Sequence, residues 1–498
     1  MNDFENELFP VPEAEAPKPT SGLGSTSLSH KSAAQSSSRL FATGLVALAV
    51  TLCYYALTAK VGDPIHLWFG LLMIVGASFP ALMWAKRADS RFPVFEVLML
   101  TGINTYAIPL LGGHEQLRIY PDQTITNAAL CVLLYQLIAN FTFAVTSGQP
   151  KNTPVWRTEV ITGDIADYLG YGMIITTVYT MIVGFTDWIP YDLMGPVRAV
   201  CYGVGIVSTF LQSRMWGQGT LPHYRKGIFI FQLALQVTFS FAALFLIGGL
   251  SILALGLLGY VSGGKKIPIL PLVIVLPIIA VLHNGKSVMR DKYWEGKAPM
   301  PSITGVPAFF SEWFGNGLNF SADGSTQNSS HAGSKLLDRT SLFHILCLVV
   351  DCTPSRQAYL GGLTYSYVPS QFIPSFFYGS NKPVAHAGTN RLSIYYGLQD
   401  ENATTKTTIA FGLVSEAYAN FGLFGVGLLG ATLAFCFRRF CDWSANSPIL
   451  SYPGLVLVIL MAWSFQTEMT MAAWLGSLYQ ACMAVLGVPF VMRNILGR

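Results

Sequence analysis

The sequence predicts an all-α polytopic membrane protein, and three observations carry that expectation. Of 498 residues, 52% are hydrophobic and only 11% charged, where an ordinary soluble domain carries about 25% charge. The mean hydropathy is +0.46. The apolar residues also gather into runs long enough for a bilayer, about 20 residues each, parted by short polar turns.

Residues 1–38 are polar and rich in Pro, Ser, Ala and acids, which predicts a disordered tail. No short apolar region follows a basic start, so the tail does not read as a signal peptide. The first two spans are 40–59 and 65–84, joined by a turn at Gly62, Asp63 and Pro64. Lys86, Arg87 and Arg91 follow at once and mark a cytoplasmic loop by the positive-inside rule. The tail is then cytoplasmic too. Span three, 93–112, carries Glu96 near its cytoplasmic end, and span four is 126–146. Lys151 and Arg157 mark the next inside loop. Spans five and six are 168–185 and 197–211, and Arg214, Arg225 and Lys226 lie inside again. The run 228–261 is too long for one untilted helix. It reads as one tilted helix or as two spans joined at Gly248 and Gly249. The second is preferred because it places Lys265 and Lys266 inside. Span nine, 267–282, ends at His283 on the outside.

The segment 284–406 holds ten Lys/Arg and eight Asp/Glu, but long loops translocate largely regardless of charge. The later spans decide its side. Span ten, 407–437, ends in Arg438 and Arg439; spans eleven and twelve are 450–465 and 471–492, and Arg493 and Arg498 close the chain inside. Counting back gives about twelve transmembrane helices, both termini in the cytoplasm and one long late extracytoplasmic loop. Within that loop, 342–350 is apolar but too short to span, and is expected to lie on or dip into the membrane interface. No repeat of 20 to 50 residues and no inverted pair of interrupted helices is visible.

Several function classes drop out. The net charge of +4 is dispersed, so no nucleic-acid partner is indicated. The sequence has no HExxH, no P-loop, no GxGxxG opening a helix and no GxSxG, so it calls for no metal, cofactor or serine nucleophile. The eight cysteines lack CxxC spacing and read as small hydrophobes; a local bridge between Cys347 and Cys352 is allowed but not demanded. His331, His344 and His386 read as surface residues of the outside loop.

Two sets of residues are candidates for chemistry. Glu416 is the only acid in span ten, near its outer end. An acid there either snorkels to the interface or serves a function. Basic residues gather on the outer side: Arg198, Lys286, Arg290, Lys292, Arg339, Arg356, Lys382, Arg391 and Lys406. Arg binds phosphate in bidentate fashion and Lys acts as a point charge. An enzyme on the outer face lacks ATP and must use an energised substrate. A lipid diphosphate is one, and these cations would stabilise its departing charge. Arg198, Arg290, Arg356 and Lys382 are the substrate-binding candidates in this set. The bland alternative pairs the cations with headgroups or local acids.

The segment 339–430 carries RTSLFHIL at 339–346, YLGGLTY at 359–365, FIP at 372–374, NKP at 381–383 and GLVSEAYANFGLFGVG at 412–427. In order and spacing these resemble the Wzy-type O-antigen and exopolysaccharide repeat-unit polymerases. Ser375 stands where that family often has Arg, with Arg391 or Lys382 as substitutes. The rest of the chain resembles the family only in architecture. The resemblance implies a fold like the membrane-embedded (GT-C-like) glycosyltransferases and a place in the bacterial inner membrane. Such an enzyme would join undecaprenyl-diphosphate-linked oligosaccharides into polymer on the outer face. Chain-length regulator and export proteins would be its partners, besides membrane lipids. The resemblance makes Glu416 a base or acceptor-positioning group, and Arg339 and Arg391 catalytic cations. Tyr418 and Asn420 would contact substrate. On their own chemistry, Asn420 and Gly422 suit cross-helix hydrogen bonding and close packing.

Two other readings compete: an O-antigen ligase-like transferase of the same architecture, and a flippase for the same lipid-linked sugars. The expected spans are nearly free of charge at their centres, which disfavours a flippase. The topology is testable directly. Cysteines introduced between 284 and 406 should label with an impermeant reagent on intact cells. Labelling only after permeabilisation would invert the assignment.

Overall fold

The computed structural model describes residues 25–86, 92–146, 155, 159–186, 188–189, 191–244, 246–293, 298–299, 301–322, 341–373, 378, 382–406 and 408–495. The protein is a helical membrane protein: no strand occurs among the described residues, and seven helices there are long and apolar enough to cross a membrane. The helices are α1 (Ser25–Thr58), α2 (Pro64–Lys86), α3 (Val94–Leu111), α4 (Asp122–Val145), α5 (Ala166–Phe185) and α6 (Tyr191–Gln218). Next come α7 (His223–Ala242), α8 (Leu246–Ser262), α9 (Ile269–Tyr293), α10 (Val306–Ala322) and α11 (Phe343–Cys352). Last are α12 (Val368–Phe372), α13 (Ala387–Tyr395), α14 (Glu401–Lys406), α15 (Gly412–Ser444), α16 (Tyr452–Trp463) and α17 (Met471–Ile495).

Every apolar run expected to span contains a helix, but the boundaries need correcting. The tail is not wholly irregular: α1 starts at Ser25, inside the segment expected to be disordered. The run 228–261 does divide, though not at Gly248 and Gly249. The break is at Ala243–Leu244, where Leu244 takes a left-handed φ of 59°. The Leu244 carbonyl, freed from the helix ladder, accepts from Arg290 Nη2 at 2.9 Å. Gly249 serves close packing instead, since a β-carbon there would sit 2.3 Å from the Phe241 ring. Span nine does not end at His283. The helix continues to Tyr293, so Lys286 and Arg290 lie one turn apart on α9.

The central bundle packs α2, α3, α4, α15, α16 and α17 about one core, with α6 joining α5, α7 and α8 to it. A second, smaller core of Phe241, Leu282, Met289, Phe309 and Trp313 holds α10 to α9. There the Trp313 indole donates to the Leu282 carbonyl at 2.6 Å.

α3 widens into a π-turn at Ile103–Ala107, and Pro109 is the cause. Proline has no N–H to offer the carbonyl four residues back, and its ring crowds that carbonyl. The Thr105 carbonyl therefore turns outward and accepts from Leu342 N at 3.1 Å. That bond fixes the start of α11. Phe343, Ile345, Leu346, Cys347 and Val349 are all buried between α4 and α15. The patch 342–350 is thus core, not a surface lying on the membrane interface. Cys347 and Cys352 are free thiols, so no local bridge forms. His344 is not a surface residue either; its ring stacks on that of buried His114 with centroids 5.0 Å apart.

Two of the basic residues that served as markers of inside ends, Arg214 and Arg438, are themselves buried. Arg438 bonds Asp442 at 3.0 Å and covers the Phe143 ring. Arg214 is fully buried near the end of α6 and donates to the Ser262 carbonyl at 3.0 Å and the Glu159 carbonyl at 3.5 Å. Gln218 donates to the same Glu159 carbonyl at 2.7 Å. The Glu159 carboxylate accepts from Ile449 N at 2.5 Å, tying this loop to the turn before α16. Burial raises the Glu159 pKa, and the Ile449 bond and then the Arg214 charge oppose that rise. Arg214→Met should destabilise the protein by about 1–3 kcal/mol, because it takes the buried donor from the Ser262 carbonyl and one of two donors from the Glu159 carbonyl. Thermal unfolding of the detergent-solubilised variant measures this; an unchanged midpoint would show that the guanidinium is dispensable.

Candidate functional site

The site begins with a broken helix. Within α15, Gly422 has φ 62° and ψ −146°, a conformation open essentially to glycine alone. The break strips the residues before it of their helical donors. The segment YLGGLTY replaces them. Leu360 N donates to the Ala419 carbonyl at 3.0 Å and Gly361 N to the Asn420 carbonyl at 3.1 Å. Gly361 and Gly362 have φ of 58° and 94°, so the turn that aims these amides needs both glycines. Gly362 N then donates to Asn420 Oδ1 at 3.1 Å.

The Asn420 side chain is buried and fully used. Its Nδ2 donates to Thr364 Oγ1 at 2.7 Å and to the Glu416 carbonyl at 2.8 Å. Its partners lie in the loop and one turn back, not across a helix interface as expected. Gly422 likewise supplies a kink, and a β-carbon there would lie 2.8 Å from the Tyr359 hydroxyl.

One turn before Asn420 sits Glu416, with no exposed surface. It does not snorkel. Its Oε2 accepts from Met471 N, the first amide of α17, at 2.6 Å. The start of a helix favours negative charge and has amides to spare. Oε1 is buried and makes no hydrogen bond of good geometry among the described residues, while the Thr364 hydroxyl lies within reach of the carboxylate. Thr364, Thr470 and Gly388, the second residue of α13, surround it. Thr470 and Thr389 share a buried hydroxyl–hydroxyl bond of 2.9 Å, which locks α13 against the start of α17. Four separate segments thus converge on one carboxylate.

Aromatic rings form the rim. Tyr418 meets Tyr359 edge-on with centroids 6.2 Å apart, and Tyr365 stacks on Phe421 at 6.1 Å. Tyr359 and Phe421 are exposed. The predicted cations divide. Arg391 is exposed on α13, the helix that carries Gly388. Arg198 is exposed and lies over the Tyr202 ring at 5.6 Å. His386 is exposed, as the sequence predicted, and partial desolvation followed by the Arg198 charge holds its imidazole below the ordinary range. Lys382 donates to the Ile373 carbonyl at 2.6 Å, and burial lowers its pKa. Arg356 is exposed and pairs with Asp351, which also accepts from Thr124 at 3.1 Å. Arg290 caps Leu244, as described above. Arg339 lies outside the described residues, as do Pro374, Ser375 and Asn381.

Sequence reasoning missed Thr364, Gly388 and Thr470 because small uncharged residues carry no signal of burial beside an acid. It also passed over Glu468, in the turn between α16 and α17, whose carbonyl accepts from Gly412 N at 3.1 Å. Burial raises the Glu468 pKa, against the charges of Lys286 and Arg290. An acid between two apolar runs was the available signal.

No family model matches the chain, and neither the curated proteins nor the solved structures contain a match to it.

Gly422→Ala should cost about 1–3 kcal/mol from the backbone alone, with the Tyr359 hydroxyl displaced as well. A lowered thermal midpoint together with faster proteolysis in 359–364 is expected. A variant as stable as the wild type would mean that the kink is not held by glycine.

Proposed function

We propose that the protein is a membrane-embedded glycosyltransferase that polymerises undecaprenyl-diphosphate-linked repeat units on the outer face of a bacterial inner membrane. The observation that carries this reading is the wholly buried Glu416 carboxylate, with one oxygen held and the other making no hydrogen bond of good geometry among the described residues. YLGGLTY and GLVSEAYANFG, two of the motifs behind the family resemblance, form its surroundings by direct hydrogen bonds. On this reading the chain crosses the membrane about twelve times, with both termini inside.

In the proposed reaction, a hydroxyl of one repeat unit attacks the anomeric carbon of the other chain. Its proton passes to Glu416. The bond from the anomeric carbon to the diphosphate breaks, and the electron pair leaves with undecaprenyl diphosphate. Arg391, Lys382, Arg198 and Arg339 are the cations proposed to meet the leaving charge. The exposed rings of Tyr359 and Phe421 offer apolar faces to a sugar, with Tyr418 buried behind Tyr359.

Glu416→Gln keeps an oxygen for the Met471 amide and removes only the base. It should leave the fold in place and reduce polymer by about 10²–10⁴-fold. Glycan length on gels, at matched protein levels, reads this out. Full-length, full-yield polymer would reduce Glu416 to an anchor for α17 and end the catalytic assignment. In a deletion strain, single repeat units on the lipid support a polymerase, whereas unattached polymer would point to a ligase.

A further inference from the structure

Glu416 Oε1 faces Gly388, and a helix does not need glycine there. Alanine is the better helix former, yet this position carries no side chain. A β-carbon built on Gly388 would meet Thr470 Oγ1 at 3.5 Å, Glu416 Oε1 at 3.7 Å and Thr364 Cβ at 3.7 Å. All are ordinary contact distances. Sterics therefore allow alanine as well. What distinguishes the position is its polarity, because two oxygens line the space in front of it.

A buried carboxylate oxygen without a donor bears its full desolvation penalty. A polar space with several oxygens beside it suits one water molecule. The donors are also in order. The Thr389–Thr470 pair holds two hydroxyl protons and uses one of them in its 2.9 Å bond. Asn420 Nδ2 donates to Thr364 Oγ1, which leaves the Thr364 proton to face the Glu416 carboxylate beside the water.

We infer that Gly388 keeps open the seat of a single water molecule, bonded to Glu416 Oε1 and Thr470 Oγ1, that carries the acceptor's proton to Glu416. The relay rests on the polymerase reading; the water seat does not. The step balances: the water takes the proton of the attacking hydroxyl and gives one of its own to Oε1. It also explains how a carboxylate with no exposed surface can act as a base, since a general base works through one water as well as directly. Gly388 acts through that water and is a positioning residue.

The test sets stability against activity. Gly388→Ala puts a methyl where the water sits. Its thermal midpoint should stay within about 2 °C of the wild type or rise above it, while polymer falls by about 10²-fold or more. Gly388→Ser returns an O–H to the same space and should recover part of the polymer. A high-resolution structure of the wild-type protein should show ordered density between Gly388 and Oε1, absent from the alanine variant. Full polymer from Gly388→Ala overturns the relay, and missing density in the wild type overturns the seat. If the density is present but Glu416→Gln makes full polymer, the seat stands and the polymerase reading fails.

Discussion

The break in α15 at Gly422 is the constraint on which the site depends. Within a membrane every backbone carbonyl must find a donor in the protein itself. A kink leaves carbonyls open, and here the amides of Leu360 and Gly361 close them. The loop is therefore not draped over the helix; it completes it. The same closure carries Thr364 to Asn420 and brings both beside Glu416. Removing the break would remove the reason for the loop to be there.

The same rule works elsewhere in the molecule. Pro109 frees the Thr105 carbonyl, and Leu342 N takes it, which seats α11 in the core. The turn at Leu244 frees another carbonyl, and Arg290 takes that one. Arg214 does likewise for Ser262 at the opposite end of α8. Each irregularity is matched by a donor from a distant part of the chain. Such pairs convert local faults in helices into fixed tertiary contacts, because an unmatched polar group costs more in an apolar interior than in water.

Electrostatics separates the groups that hold the structure from those left for a substrate. Arg290, Arg214 and Arg438 are engaged with acids or carbonyls inside the protein, and exposed Arg356 pairs with Asp351. Arg391 and Arg198 remain exposed near the segment that covers Glu416. On the proposed reading, a diphosphate would meet these exposed side chains first and the buried carboxylate last. That order suits a reaction in which the leaving group needs cations and the acceptor needs a base shielded from bulk water.

The sequence by itself determined the helical membrane class, because runs of about 20 apolar residues have few other uses. Every run it read as a span contains a helix, though it passed over α10, and it singled out Glu416, because an acid in such a run must have a reason to be there. It misplaced the ends of helices, since glycine serves turns and close packing alike. Gly249 packs against Phe241 while the chain turns at Leu244. Nor could it tell that 342–350 is core, because a short apolar patch is the same string on either surface. Tertiary structure alone decided which cations are engaged, which loop caps the kink and which small residues enclose the carboxylate. Those outcomes depend on hydrogen bonds between segments as far apart as Thr389 and Thr470. Periodicity and composition describe one segment at a time, and pairing across the chain leaves no trace in either.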